Sequence, residues 1–144
     1  MTALAKKITA NPRIDLLIEG YASVFGVEDL SGDVVRAGAF AGSAGTVDLP
    51  MLLQHNSKAQ VGRWVRVIED GYGLFVRGLI NAKSAADLVK TGLDGLSIGF
   101  RPSDWTIRPS GGRVLSKVEL VEVSLVAEPM LPSARFKVFT GLAQ

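Results

Sequence analysis

Short apolar runs alternate with polar, glycine-containing connections along this chain, and most of the runs have the length of β-strands. Runs of this kind, bounded by Asn, Asp, Gly or Pro, predict a β-rich fold. Between the third and fourth runs, the dipeptide Asp70–Gly71 predicts a tight hairpin. The first run is expected to form one strand, or two strands joined by a bend at Gly20. The predicted strands cover residues 14–25, 49–55, 61–68, 73–79, 95–107, 114–126 and 134–139.

Residues 81–91 form the one stretch with a clearly helical pattern. Alanine, leucine and valine recur on one face, Asn81 can cap the first turn, and Gly92 can end the last one. A second, shorter helix is expected to begin at residues 38–40 and to end near the glycines at positions 42 and 45. Helices are therefore a minor part of the predicted structure.

A polar loop at residues 27–38 contains three acidic residues, Glu28, Asp29 and Asp33. Their spacing does not match that of a calcium-binding loop between two helices. Asp and Ser side chains commonly accept backbone hydrogen bonds in turns. We therefore expect turn capping here rather than a metal site, and we predict no metal or other cofactor for the chain.

These elements predict a mainly β domain with flanking helices (α+β), built as an antiparallel β-barrel or sandwich. At 144 residues the chain can bury a core of its own. Asn11–Pro12 interrupts the chain before the first strand, and the last strand ends near Phe139. The predicted organisation is an N-terminal arm at residues 1–13, a single domain at 14–139 and a C-terminal tail at 140–144.

Composition and charge remove several classes of function. The net charge is only +2 and no block of Lys or Arg is present, which argues against a dedicated nucleic-acid surface. The absence of cysteine excludes disulfides, thiol catalysis and a cysteine-ligated metal. Lys6 and Lys7 are not followed by the apolar stretch of a secretory signal, and no apolar run approaches the length of a membrane span.

The stretch from Gly95 to Arg101 contains the first candidate for chemistry, Ser97. In a strand, Ser97 and Gly99 would share one face, and glycine on either side of the serine leaves room for close approach. A nucleophilic serine needs such clearance, together with a base. A serine in an ordinary strand is nevertheless the more common meaning of Ser-x-Gly when it occurs alone.

The single histidine of the chain, His55, is the second candidate. It follows an apolar run within a Gln-His-Asn cluster, so a strand ending there would place it at the rim of the domain. Isolated histidines are more often surface or structural residues than catalytic ones. Any histidine-dependent mechanism must use His55, because the chain has no other.

Four motifs in sequence order resemble those of tailed-phage prohead maturation proteases. Each motif alone is weak, but their order across residues 14–135 is specific. They are Gly20-Tyr21-Ala22-Ser23-Val24-Phe25 with Gly32-Asp33-Val34-Val35 and Gly38-Ala39-Phe40; Leu52-Leu53-Gln54-His55-Asn56 with Val61-Gly62-Arg63; Gly95-Leu96-Ser97-Ile98-Gly99-Phe100; and Leu120-Val121-Glu122-Val123-Ser124-Leu125-Val126 with Pro129.

The resemblance implies a closed β-barrel of the herpesvirus assembly protease type and a serine endopeptidase. Carried over by motif, Ser97 is the nucleophile, His55 the general base and Glu122 the third member. The implied substrates are the scaffold protein or the scaffold-like segment of the major capsid protein, and the implied location is the immature capsid in the bacterial cytoplasm. Self-cleavage and a homodimer are further options. Oxyanion donors are expected among residues 128–135, whereas Arg101 and Arg135 are expected to be surface charges.

The register of the hairpin around residues 109–112 offers a second route to the third member. If the two strands pair without interruption, Glu122 lies opposite Gly99, diagonal to Ser97, and Glu119 lies on the other face. A one-residue bulge would reverse this result. Members of the resembled family commonly extend further at the C-terminus with a region that associates with scaffold or capsid protein, so how this chain would reach a capsid stays open.

Two other functions remain open at this point. The chain could be a catalytically inactive, capsid- or scaffold-associated β-domain, although the presence of all three candidate residues argues against it. It could also be another hydrolase, such as an esterase on a β-barrel. The Gly-x-Ser-x-Gly elbow of the α/β-hydrolases is absent, because the local sequence is Gly-Leu-Ser-Ile-Gly without the strand–helix alternation of that fold.

Overall fold

A computed structural model describes residues 15–45 and 48–139 of the chain. The predicted N-terminal arm and C-terminal tail lie outside the described residues. The elements of the described part are β1 (Leu16–Val24), β2 (Val34–Val35), β3 (Pro50–Leu53), β4 (Asn56–Glu69), β5 (Gly73–Ile80), α1 (Lys83–Lys90), β6 (Gly95–Ile107), β7 (Arg113–Val126) and β8 (Phe136–Phe139). The mainly β prediction is confirmed, and β1 is one strand with an irregularity between Tyr21 and Ser23 rather than two strands joined at Gly20.

The strands form one sheet in the order β2-β7-β3-β4-β5-β1-β8, with β6 also paired to β7. Most pairs are antiparallel, but β2 and β3 both run parallel to β7. The expectation of a closed barrel is wrong. An isolated bridge joins Gly95 of β6 to Arg135, just before β8, but β8 pairs with β1 and β6 pairs with β7.

The expected second helix near residues 38–45 is absent, and α1 is the one helix of the described residues. Its N-cap residue is Ala82, without a side-chain cap, and not Asn81. The Asn81 amide instead donates to the carbonyl of Val61 at 2.9 Å, which keeps Asn81 in the extended path that leaves β5. Residues 38–45 form successive turns, and their two end glycines, Gly38 and Gly45, have positive φ angles of 91° and 82°.

The polar loop before β2 is organised by acidic side chains, as predicted. Asp29 Oδ1 accepts hydrogen bonds from the Ser31 amide at 2.9 Å and from the Asp33 amide at 3.0 Å. Asp33 is buried and pairs with Arg113 at the start of β7, at 2.6 Å. Within residues 15–45 and 48–139, no group of three His, Asp or Glu side chains is arranged to bind a metal ion.

Strand β7 lies between β3, β6 and β2 and supplies much of the core. Leu115, Val123 and Leu125 on this strand are almost completely buried. Trp64 of β4 packs against the same layer, and its indole N–H donates to the Val123 carbonyl at 3.1 Å. The fold is therefore organised around one central strand.

The one helix in the described residues is not long and apolar enough to cross a membrane.

We expect Arg113→Met to lower the free energy of unfolding by about 1–3 kcal/mol at pH 7, because it leaves the buried Asp33 carboxylate without its partner. The hydrogen bond from Arg113 lowers the pKa of Asp33, and burial partly opposes that effect. The advantage of the unsubstituted protein is thus present above the ordinary carboxyl pKa. It is lost as the pH falls through the lowered value. Urea unfolding at pH 7 and at low pH measures both quantities.

Arg101→Met is the matched control for this experiment. Arg101 lies on the same β6–β7 hairpin and also pairs with a carboxylate, that of Glu119, at 3.0 Å. Both side chains are well exposed, at 73% and 62%, so the pair contributes little. Equal losses of stability in the two variants at pH 7 would contradict the anchoring role of the Arg113–Asp33 pair.

Candidate active site

His55 lies in an unusual two-residue turn that connects β3 to β4. Both turn residues have positive φ angles, 53° for Gln54 and 59° for His55, as a type I′ hairpin turn requires. Residues with a Cβ adopt this left-handed conformation at a cost of roughly 1–2 kcal/mol each. Hydrogen bonds to β7 compensate: the Gln54 amide donates to the Leu125 carbonyl at 2.9 Å, and the His55 amide to Ser124 Oγ at 3.1 Å.

Ser97 lies near the start of β6 and is 8% exposed. Its backbone pairs with Ser124 of β7. The side-chain oxygen is 2.9 Å from Nε2 of His55, so the hydroxyl can donate its proton to that nitrogen. The structure therefore brings together the two candidate residues that are 42 positions apart in the sequence.

Glu122 approaches the other side of the His55 ring. Its Oε2 is 2.6 Å from Nδ1 of His55, and its Oε1 accepts a hydrogen bond from Ser124 Oγ at 2.7 Å. The predicted pairing of Glu122 with Gly99 is confirmed. A Cβ on Gly99 would overlap Oε2 of Glu122, so the glycine leaves the space that the carboxylate occupies.

The electrostatic setting of His55 follows from this contact. The hydrogen bond that Glu122 accepts from His55, together with the negative charge of Glu122, raises the pKa of His55, while partial burial acts in the opposite direction. The imidazole side chain is 43% exposed, whereas that of Glu122 is only 10% exposed. A positive charge that formed on the ring would thus be stabilised by a carboxylate largely shielded from water.

A cavity of about 260 Å³ opens beside Ser97 and His55. Its walls are mainly apolar, and the paired Asp33 and Arg113 lie among them together with Asp29. The apolar side chains in these walls include Val24, Val27, Leu96, Leu115, Met130 and Leu131. The hydroxyl of Ser97 is therefore next to a space that an extended chain with apolar side chains can enter.

The remaining candidates have surface or structural contacts. Glu119 pairs with Arg101 on the exposed part of the hairpin. Arg135 pairs with Asp94 at 2.7 Å and donates from Nε to the carbonyl of Pro132 at 2.9 Å. The expectation that Arg101 and Arg135 act as surface charges agrees with these contacts.

Sequence reasoning missed Ser124, which contacts both Glu122 and the backbone of His55. Its position two residues after Glu122 on one strand places both side chains on one face, and this spacing is the signal that could have found it. The left-handed backbone of Gln54 and His55 had no such signal. The dipeptide lacks the Asn-Gly or Asp-Gly sequence that usually indicates this turn.

Known proteins similar to this chain fall into two groups. The prohead protease of Enterobacteria phage HK97 is 36% identical over an alignment of 125 residues, and the match covers 78% of this chain and 55% of that protein. The chain thus spans about half the length of this curated relative. The second group consists of solved herpesvirus protease structures, which show the fold.

A crystal structure of KSHV protease in complex with a hexapeptide phosphonate inhibitor has a TM-score of 0.62 at 17% identity and covers 87% of this chain and 65% of its own. Kaposi's sarcoma-associated herpesvirus protease in complex with an allosteric inhibitor has a TM-score of 0.54 at 16% identity, covering 86% and 75%. The expected similarity to the herpesvirus protease fold is confirmed. Residues 4–142 match the family described as Caudovirus prohead serine protease, and the chain belongs to that family.

Proposed function

We propose that this chain is a serine endopeptidase of capsid maturation, with Ser97 as nucleophile, His55 as general base and Glu122 as the residue that orients the imidazole. One observation carries the proposal: Ser97 Oγ, the two ring nitrogens of His55 and the Glu122 carboxylate form one continuous series of hydrogen bonds. Two hydrogen bonds, of 2.9 and 2.6 Å, are short enough for proton transfer and ring orientation.

In the proposed reaction, Ser97 Oγ attacks a peptide carbonyl carbon while His55 Nε2 takes the hydroxyl proton. The proton passes from His55 to the departing amine as the C–N bond breaks, which leaves an ester on Ser97. A water molecule then attacks the ester, and His55 again takes and returns a proton. Glu122 accepts the Nδ1 proton in a hydrogen bond and stabilises the imidazolium.

The oxyanion of the tetrahedral intermediate requires backbone donors, which we place between residues 128 and 135. Within this segment the Ala134 amide already donates to the Leu131 carbonyl at 2.9 Å. Ala134 is therefore a poor candidate, and an amide on either side of it is favoured. Arg135 is adjacent to this position but its guanidinium pairs with Asp94.

The proposed substrates are the scaffold protein or the scaffold-like N-terminal segment of the major capsid protein, with self-cleavage as an additional event. Membership of the prohead protease family supports this assignment. The apolar cavity beside Ser97 is compatible with an extended, weakly structured segment of such a protein. The proposed place of action is the interior of the immature capsid, where enzyme and substrate are concentrated.

We expect Ser97→Ala to abolish cleavage of a co-expressed capsid or scaffold protein, with a rate loss on the order of a millionfold. The reason is the loss of the hydroxyl that we propose attacks the peptide. Mass spectrometry of the substrate's N-terminus, together with the thermal unfolding midpoint of the variant, provides the measurement. Trimming at a comparable rate by folded Ser97→Ala protein would rule out the nucleophile. No trimming by either protein would favour an inactive capsid-associated domain.

We expect Glu122→Gln to reduce turnover by up to about ten-thousandfold, while Glu119→Gln costs little. Because Glu122 raises the pKa of His55 above its ordinary value of about 6.5, the unsubstituted rate should rise with pH through that higher value. Glu122→Gln should move this limb to lower pH. A pH–rate series for both variants tests the assignment, and a larger loss in Glu119→Gln would reverse it.

We expect Gly99→Ala to reduce activity without a large loss of stability. The new Cβ would displace the end of the Glu122 side chain, which can move without the backbone, so turnover should fall about 100-fold while stability is largely kept. Gly95→Ala is the matched control, because its Cβ would instead meet the backbone carbonyl of Val126. Turnover and urea unfolding of both variants give the comparison. Unchanged turnover in Gly99→Ala would show that Glu122 can leave His55 without consequence.

A further inference from the structure

Ser124 is a completely buried hydroxyl at the centre of the site. It lies on β7 two residues after Glu122, opposite Ser97 of β6 and beside Leu52 of β3. Its Oγ lies 2.7 Å from Oε1 of Glu122 and 3.1 Å from the backbone nitrogen of His55. Ser124 therefore contacts both the carboxylate and the backbone of the general base.

The direction of these hydrogen bonds follows from donor and acceptor chemistry. A backbone N–H can only donate, so Ser124 Oγ accepts from His55. The single hydroxyl proton then points to Oε1 of Glu122, which makes that oxygen an acceptor. With Oε1 occupied in this way, Oε2 is left to accept the proton of His55 Nδ1. The lone pair of Nε2 then faces Ser97, as a general base requires.

Ser124 also holds the strained turn against β7. Strand β3 ends at Leu53, which pairs in parallel with Leu125 of β7, and the chain then enters the left-handed turn at residues 54 and 55. The Gln54 amide bonds to the backbone of β7, whereas the His55 amide bonds to the Ser124 side chain. The position of the His55 backbone is thus linked, through one hydroxyl, to the position of the Glu122 carboxylate.

We propose that Ser124 is a positioning residue: its hydroxyl fixes Glu122 as a hydrogen-bond acceptor and holds His55 in the tautomer with a free Nε2. The consequence for turnover rests on the protease function proposed above. The consequence for the histidine does not, because the ring state is a property of the protein without substrate. The two can therefore be tested separately.

The charged surroundings of His55 limit what else can influence its ring. Glu122 of β7 is the carboxylate in contact with it. Asp29, Asp33 and Arg113 line the same cleft, and the last two are paired with each other. A change in His55 after substitution of the uncharged Ser124 would therefore report movement of Glu122 or of the turn rather than removal of a charge.

The single histidine makes the experiment direct, since the imidazole resonances in an NMR spectrum of the chain are those of His55. We expect Ser124→Ala to lower the pKa of His55 toward its ordinary value and to populate both neutral tautomers. We also expect turnover to fall about 10- to 100-fold with little change in KM, because a small misplacement of the base affects the chemical step. An unchanged His55 pKa and tautomer in folded Ser124→Ala protein would overturn the proposal.

Ser43→Ala is the matched control for the loss of a hydroxyl. Ser43 Oγ also donates to and accepts from β7, at the Val118 carbonyl and the Leu120 amide, both at 3.3 Å. Ser43 lies in the loop of residues 38–45 and outside the proposed site. We expect this variant to lose some stability without a change in the His55 resonances. The same spectral change in both variants would make the effect one of general stability and overturn the proposal.

Ser124→Thr and Ser124→Val keep the experiment decisive if Ser124→Ala does not fold. Thr and Val have nearly the same shape, so both variants add one methyl group at this site and they differ only in the hydroxyl. We expect Thr to retain the raised pKa and single tautomer of His55, and Val to lose both. Identical His55 behaviour in the two variants would refute the role of the hydroxyl, whether or not any cleavage is detected.

Discussion

The parallel pairing of β3 with β7 is the constraint on which the candidate site depends. It aligns residues 51–53 with 123–125, so the turn that follows β3 must lie directly beside the segment that contains Glu122 and Ser124. The left-handed backbone at His55 then directs the imidazole between the side chains of Ser97 on β6 and Glu122 on β7. Without this pairing, the histidine would be an exposed residue at the tip of a hairpin.

The hydrogen bonds that hold this turn in a strained conformation are the same ones that position His55 for the function we propose. Two residues with side chains adopt a conformation that is unfavourable in isolation, and hydrogen bonds to β7 over-determine it. The Gln54 side chain contributes a further bond, because its Oε1 accepts from the Ala127 amide at 3.0 Å. The turn is therefore part of the β7 layer rather than a free loop, which keeps His55 at a fixed distance from both of its partners.

Local pairing was predictable from the sequence, and long-range pairing was not. The β6–β7 hairpin has a short connection, so its approximate register follows from the position of the turn. The Gly99–Glu122 pair was predicted correctly, but the hairpin begins one residue tighter than assumed, with Ile107 opposite Arg113. Three irregularities follow, and together they insert one net residue into β7 before Glu122. The correct pair thus depended on two deviations that cancel.

The parallel contacts of β3 and β2 with β7 join residues that are distant in sequence, and no local pattern specifies them. The predicted cap at Asn81 failed for a related reason, since its amide bonds to Val61 of another strand. Similarity of motifs identified the candidate residues, whereas only the assembled sheet relates them in space. The proposed assignment of Glu122 therefore has two independent supports, the order of the motifs and the geometry of the sheet.

Glu122 is buried while His55 is exposed, and this difference explains how a carboxylate away from water can still act on the imidazole. Glu122 is largely buried against Gly99 and is hydrogen-bonded through both oxygens, so its negative charge is fixed in position and little screened by water. His55 is far more exposed and faces the cleft together with Ser97. Charge that develops on the imidazole during proton transfer therefore appears beside an already oriented carboxylate. In the reaction we propose, substrate would approach the open side of the ring, where the carboxylate is already oriented, as a preorganised acyl-transfer site requires.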